Sequence, residues 1–191
     1  MRILVATDSI SALSSRQAGE VIASGWRSNA RVSVLPIGDS GAGFVAAYGD
    51  LVGVTTSIDV TDGTTVTTAR GPNASAIEVL GVSRGAGIPY ERSSWPIGEA
   101  IAGALGTSRP ARLLVDLAGL WVHDAGAGML AALGATADRP LDRGVETING
   151  IGELDLAPAR ALFSETDLVG VVPSGQLDQQ LLGLRGITAH A

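Results

Sequence analysis

Short apolar runs and helix-spaced apolar residues alternate along the chain. Residues 3–6 (Ile-Leu-Val-Ala) read as a buried strand. Ser14 or Ser15 can cap a helix running to about residue 28, with Ala18, Val21, Ile22 and Trp26 on one face. Residues 31–37 read as the next strand and 43–51 as a short helix. This βαβα unit predicts parallel pairing with a right-handed crossover. The pattern then changes. Residues 52–69 and 75–83 are rich in Thr, Val and Ile, with turn signals at Asp62-Gly63 and Gly71-Pro72-Asn73. They predict an antiparallel hairpin region, read as an inserted lobe over about 52–110. Residues 85–93 read as a loop and 95–105 as a helix with Pro96 in its first turn. Residues 112–117 predict a strand, 124–133 a helix, and 138–152 a loop with a short helical piece. A helix starts over 158–163, a strand runs over 167–172, and the turn Pro173-Ser174-Gly175 leads into a last helix over 177–182. The expected fold is α/β, a mostly parallel sheet with flanking helices and a small antiparallel inserted lobe, in one unit over 1–191.

Composition narrows the chemistry. Apolar residues make up 46 % of the 191 residues and aromatics only 4 %, so the core is built mainly of Ala, Val, Leu and Ile. The net charge of −6 argues against a nucleic-acid groove, which needs clustered positive charge. The absence of cysteine excludes disulfides and thiolate metal sites. No run reaches about 18 apolar residues and the N-terminus lacks a signal-peptide pattern, so no membrane partner is expected and the location reads as cytoplasmic. All thirteen basic residues are Arg. A phosphate site here has to work without lysine.

Polar turns follow several of the strands. Asp8-Ser9 stands at the end of the first, where Asp can orient a hydroxyl, act as a base or hold Mg²⁺, and Ser can donate to a phosphate. Helix capping is the ordinary alternative. The run Gly38-Asp39-Ser40-Gly41-Ala42-Gly43 lets backbone N–H groups approach an anion at a helix start. A tight turn needing positive φ explains the same glycines. The run lacks the Gly-Lys-Ser/Thr ending of a Walker A loop. His123-Asp124-Ala125-Gly126-Ala127-Gly128 repeats the device, with Asp124 as cap or ligand and His123 as its neighbour. His190 reads as solvated. Arg84, Arg92 and Arg185 are candidates for a carboxylate or phosphate in a cleft.

Taken in order, these segments resemble the bacterial glycerate kinase family. The family's Ala-Pro-Asp-Ser-Phe-Lys-Gly opening is similar to Ala6-Thr7-Asp8-Ser9-Ile10-Ser11-Ala12, followed by Gly25-Trp26. Its Ala-Asp-Gly-Gly-Glu-Gly loop looks like Gly38-Asp39-Ser40-Gly41-Ala42-Gly43, and its Ile-Glu strand like Ile77-Glu78. Ser93-Ser94-Trp95-Pro96-Ile97-Gly98-Glu99 resembles its Thr-Ser-Tyr-Gly-Thr-Gly-Glu segment. The stretch from Ala118 and Gly119 through Asp124, Gly126 and Gly128 to Met129 resembles its Gly-Gly-Ser-Ala-Thr-Asn-Asp-Gly-Gly-Ala-Gly-Met loop. Pro173-Ser174-Gly175-Gln176-Leu177-Asp178-Gln179-Gln180 looks like its Gly-Glu-Gly-Arg-Leu-Asp-x-Gln run.

The resemblance implies ATP-dependent phosphorylation of glycerate with Mg²⁺. It implies catalytic roles for Asp8, Asp39 and Asp178. Ser9, Ser40, Gly41, Gly43, Ser94, Gly119, Asp124, Gly126 and Gly175 would bind substrate or phosphate. The departures fall on charge. Ser11 replaces the family's lysine, Ala42 its loop Glu, Leu120 and Val122 its Ser and Thr, and Ser174 and Gln176 its Glu and Arg. Phosphoryl transfer relies on such groups, so a non-catalytic pseudokinase that binds, regulates or assembles is the competing expectation. The chain is also short for the family, which predicts open sheet edges and self-association or a completing partner chain.

Overall fold

The computed structural model describes residues 1–61, 63–81, 89–107, 109–120, 122–180, 183–184 and 186. Arg84, Arg185, His190 and the end of the expected 177–182 helix lie outside the described residues. The first unit is β1 (Arg2–Thr7), α1 (Ser15–Ser24), β2 (Arg31–Pro36) and α2 (Phe44–Val52). The strands β3 (Thr56–Thr61), β4 (Thr64–Arg70) and β5 (Ala74–Leu80) follow, then α3 (Trp95–Thr107), β6 (Arg112–Asp116) and α4 (Ala127–Ala132). The chain continues through β7 (Thr136–Ala137), α5 (Val145–Ile148), β8 (Leu154–Asp155), α6 (Ala157–Leu162) and β9 (Asp167–Val171).

β1 and β2 pair in parallel as a two-stranded sheet. A second sheet has five strands in the order β3-β4-β5-β6-β9. Its β3–β4 and β4–β5 pairs are antiparallel, while β5–β6 and β6–β9 are parallel. The class is therefore α/β, with the antiparallel strands hydrogen-bonded to the parallel ones across β5. The small β7–β8 pair arises in a stretch that reads as loop from sequence.

The five-stranded sheet carries a core on each face. Alternation along β5 sends Ile77 to one and Ala76 to the other. On the first face α3 presents Ile97, Ile101, Ala104 and Leu105 at helical spacing to Ile77, Leu113 and Val115. On the second, Val45 of α2 packs with Ala69 and Ala76, flanked by Phe44 and Tyr48.

Helix α1 differs from its sequence reading in length and in face. Ser14 caps it through a capping box with Gln17, and it stops at Gly25. Its buried residues are Ser15, Ala18, Gly19 and Ala23, whereas Val21, Ile22 and Trp26 are exposed. The reason is close approach: a Cβ on Gly19 would stand 2.3 Å from Val34 Cγ1. The helix meets a two-stranded sheet through its smallest side chains, and that sheet is too narrow to cover the larger ones. Leu4 on β1 is likewise 64 % exposed. No helix among the described residues is long and apolar enough to cross a membrane.

Helices α3 and α4 also meet at a glycine. A Cβ on Gly98 would lie 2.4 Å from the Met129 carbonyl oxygen and 2.7 Å from Ala132 Cβ. Gly98→Ala is expected to destabilise by about 1–3 kcal/mol, since overpacking outweighs the helix propensity gained. Urea unfolding measures it, and a neutral or stabilising result would mean that the two helices separate freely.

Candidate active site

Loop 38–43 sits where strand ends converge. β1 and β2 run side by side, and the Ile37 N–H extends their pairing by donating to the Thr7 carbonyl. Asp8 and Asp39 therefore leave adjacent parallel strands at the same end. The pairing of β5 with β6 ends at Glu78 and Asp116. Loops at the carboxyl ends of parallel strands are the usual place for ligands in open α/β folds.

Two buried acids hold this loop. Glu78 is 4 % exposed and accepts hydrogen bonds from the N–H groups of Gly43 (3.1 Å) and Val45 (3.4 Å). Asp116 is 2 % exposed and accepts from the Gly41 N–H (3.0 Å) and the Ala118 N–H (3.4 Å). The Ser40 hydroxyl lies against Asp116 Oδ1 and, at 3.2 Å, against the Val171 carbonyl at the end of β9. Gly41 and Gly43 have φ of 118° and 97°, a left-handed backbone that turns their N–H groups inward onto these carboxylates. Burial pushes the Glu78 carboxyl above its ordinary value; the N–H groups of Val45 and Gly43 oppose the rise, and the Asp116 charge adds to it.

A third buried acid organises the second glycine turn. Asp124, fully buried, accepts from the Ser94 N–H (2.7 Å), the Ser94 hydroxyl (2.8 Å), the Gly126 N–H (3.1 Å) and the Gly128 N–H (3.0 Å). Ser94 Oγ in turn accepts from the Met129 N–H at 2.8 Å. The starts of α3 and α4 are thus tied to one carboxylate. The cap reading of Asp124 matches this geometry.

The remaining candidates sit at the rim. Asp8 is exposed, with Oδ1 accepting from the Ser9 N–H (2.6 Å) and the Ser15 hydroxyl (3.3 Å). Asp39 is exposed and accepts from the Ser40 N–H at 2.8 Å. Gly119, with φ of 65°, lies exposed in the loop after β6. That loop approaches loop 38–43, because a Cβ on Gly41 would be 3.8 Å from Ala118 Cβ. Gly175 belongs to an exposed 3-10 turn, Ser174–Gln176, just beyond β9. Asp178 follows it, exposed, with no hydrogen bond or ion pair to either glycine loop. Residues 177–178 form a turn where the sequence predicts a helix.

Sequence reasoning missed Glu78 and Asp116 as site residues. Their signal was an acid following an apolar pair in a strand, Ala-Ile-Glu78 and Leu-Val-Asp116. Asp116→Ala is expected to cost about 2–4 kcal/mol by leaving the Gly41 and Ala118 N–H groups unpaired. Amide exchange at Gly41 should quicken by more than the global loss explains; an unchanged Gly41 protection would mean the loop holds its shape without Asp116.

The donor set bears directly on phosphate binding. The N–H groups of Gly41, Gly43, Gly126 and Gly128 all point at the chain's own carboxylates. An incoming phosphate would meet acid rather than free donors at these turns. No group of three or more His, Asp or Glu side chains among the described residues is arranged to hold a metal ion. Among the described residues, the glycine N–H groups of both turns are thus already engaged.

Comparison with known proteins gives a family match and structural matches. The glycerate kinase family model covers residues 3–190. No curated protein sequence matches. Among solved structures, the chain is similar to the crystal structure of a Salmonella typhimurium LT2 protein assigned as glycerate kinase 2. That match has a TM-score of 0.82 at 22 % identity and covers 99 % of this chain but 56 % of the other. At that identity the likeness speaks for the fold alone. The chain spans little more than half the length of this relative.

Proposed function

The chain belongs to the glycerate kinase family, and from that premise we propose that it binds a small 2-hydroxy acid, glycerate above all, without itself carrying phosphoryl transfer. The observation that carries this reading is the commitment of four glycine N–H groups to buried carboxylates. Transition-state charge in phosphoryl transfer needs preorganised donors or cations, each worth on the order of 10²–10³ in rate. The chain has no lysine, and its loop donors already serve Glu78, Asp116 and Asp124. The exposed acids Asp8 and Asp39, at adjacent strand ends, suit the hydroxyls of a polyol acid, since ionised carboxylates accept from O–H groups. Incubation with MgATP and D-glycerate, followed by ³¹P NMR, is expected to give no phosphoglycerate. Sustained turnover would overturn the non-catalytic part.

A second reading rests on the open surfaces of the fold. β1 and β2 stand as a two-stranded parallel sheet with Leu4 exposed, and β9 is an edge strand with Leu168 43 % and Val169 37 % exposed. Parallel sheets are normally covered on both faces, and the relative above is a longer chain. Self-association or a completing partner chain would cover these surfaces. Light scattering at high concentration should detect assembly that Leu4→Asp weakens; a strict monomer that Leu4→Asp leaves unchanged rejects self-association through this face.

A further inference from the structure

The outer edge of β1 carries unpaired backbone. The Met1 and Thr7 carbonyls turn towards β2, where they accept from the Arg31 and Ile37 N–H groups. Backbone groups alternate in direction along a strand, so the N–H and C=O groups of Arg2, Leu4 and Ala6 face the other way. These three residues are exposed, and among the described residues no strand pairs on that side. Proteins ordinarily blunt such an edge with lysine, proline or a bulge. β1 has neither residue, and it pairs with β2 one to one. The outer strands β2, β3 and β9 carry Pro36, Asp59 and Gly170, which interrupt or charge their edges. An apolar overhang follows the β1 edge. Helix α1 spans both strands, since a Cβ on Gly19 would meet Val34 of β2 and lie 3.6 Å from Thr7 Cγ2 of β1. Arg16 ties one flank of α1 to Asp50 of α2 at 2.8 Å, and α2 borders β2 through Phe44 and Tyr48 beside Leu35 and Pro36. At about 3.6 residues per turn, Val21 and Ile22 project from the flank opposite Arg16, over the β1 edge. Both are exposed.

We propose that a second copy of this chain adds its own β1 to this edge, antiparallel, about a two-fold axis at Val5. This rests on the self-association reading above and gives it a partner and a register. Edge groups belong to even-numbered residues, so even residues must pair with even ones. An axis at Val5 sets Leu4 opposite the partner's Ala6 and Arg2 opposite the partner's Asp8. Opposite charges directly across two strands stabilise the pairing, and like charges oppose it. Arg2 makes no ion pair among the described residues. Asp8 uses Oδ1 for Ser9 and Ser15. An ionised carboxylate has about four acceptor sites, so Asp8 can meet a cation and still accept from a hydroxyl. An axis at Leu4 or Ile3 would set Arg2 opposite the partner's Ala6 or the partner's Leu4 and forfeit both charge pairs. The α1 helices then lie on one face of a four-stranded sheet. A strand spacing of about 4.8 Å puts them roughly 10 Å apart, close to the ordinary distance between packed helices. Val21 and Ile22 of both copies fall between them.

Sedimentation equilibrium of the wild-type chain, from micromolar to millimolar concentration, should show monomer passing to dimer and stopping there, because a two-fold interface closes. Ala6→Pro deletes an edge N–H that β2 does not use and should abolish the dimer; a melting curve checks that the variant folds. Arg2→Asp and Asp8→Arg each set like charges opposite one another twice per dimer. Each alone should weaken dimerisation about tenfold. Mixed in equal amounts they should regain wild-type affinity as a heterodimer, in which both facing pairs are again opposite in charge. A dimer indifferent to Ala6→Pro and to both charge variants overturns this interface and leaves self-association to another surface. A dimer lost in Ala6→Pro, with charge variants that do not rescue each other, overturns the register. Growth beyond the dimer overturns the two-fold closure. A strict monomer at millimolar concentration overturns the interface and the self-association reading together.

Discussion

Asp124→Ala is expected to destabilise the protein by about 3–5 kcal/mol, because several buried donors lose their common acceptor and each left unmet costs about 1–3 kcal/mol. Four donors converge on this carboxylate: the N–H and hydroxyl of Ser94 and the N–H groups of Gly126 and Gly128. Removing it leaves all four in a site that excludes water. The bonds are charge-assisted, individually worth about 1.5–3 kcal/mol, but they share one group and do not add. For a chain of this size each kcal/mol moves the melting temperature by about 2–4 °C, so a fall of roughly 6–20 °C is expected. Asp124→Asn tests the same geometry more gently. Its amide oxygen can replace Oδ2, which accepts three of the bonds, but its NH₂ then faces the Gly126 N–H. A loss smaller than that of the alanine variant is the expected outcome. Near-wild-type melting of Asp124→Ala would mean that α3 and α4 dock without this tie.

The second large effect is a pH dependence centred on Glu78. Burial raises its pKa in the folded protein above the ordinary value of 4.5, assisted by the neighbouring Asp116 charge and opposed by backbone N–H groups. A group with a raised folded pKa binds more protons folded than unfolded between the two values. The contribution of Glu78 to stability therefore falls as pH rises from about 4.5 through the raised pKa, and levels off above it. Glu78→Gln keeps an acceptor for the Gly43 and Val45 N–H groups and removes the ionisation. Compared with wild type, the variant should gain ground steadily across that window and hold its gain at higher pH. Urea unfolding at a series of pH values measures the difference. A difference that is flat with pH, or that moves against the variant, would contradict a raised pKa. Asp116→Asn should lower the Glu78 pKa, because it removes a like charge next to it.

The order of strands and helices was legible because apolar runs and helix-spaced residues alternate with dense turn signals. The cap was legible to within one residue, Ser14 or Ser15, and the capping box with Gln17 selects Ser14. The packing face of α1 was not. Hydrophobicity points to Val21, Ile22 and Trp26, but the geometry selects Ala18, Gly19 and Ala23, which let the helix approach Val34. Asp124 could be read as a cap because its Gly126 and Gly128 donors are local. Glu78 and Asp116 could not, because Gly43 and Gly41 donate to them from 35 and 75 residues away. Local patterns carry no information about such partners. The glycine-rich turns suggested free N–H groups for an anion, and only the fold reveals that buried carboxylates take them. Asp178 stood in a family-like run, yet its turn is exposed and tied to neither loop.

Isothermal calorimetry of the folded wild-type chain with D-glycerate, MgATP and both together addresses the central claim most directly. Saturable heat with D-glycerate, none with MgATP, and no change in glycerate affinity when MgATP is added are expected from glycine loops whose donors serve Glu78, Asp116 and Asp124. MgATP binding that D-glycerate strengthens would contradict it, since the loops would then be releasing those donors to phosphate.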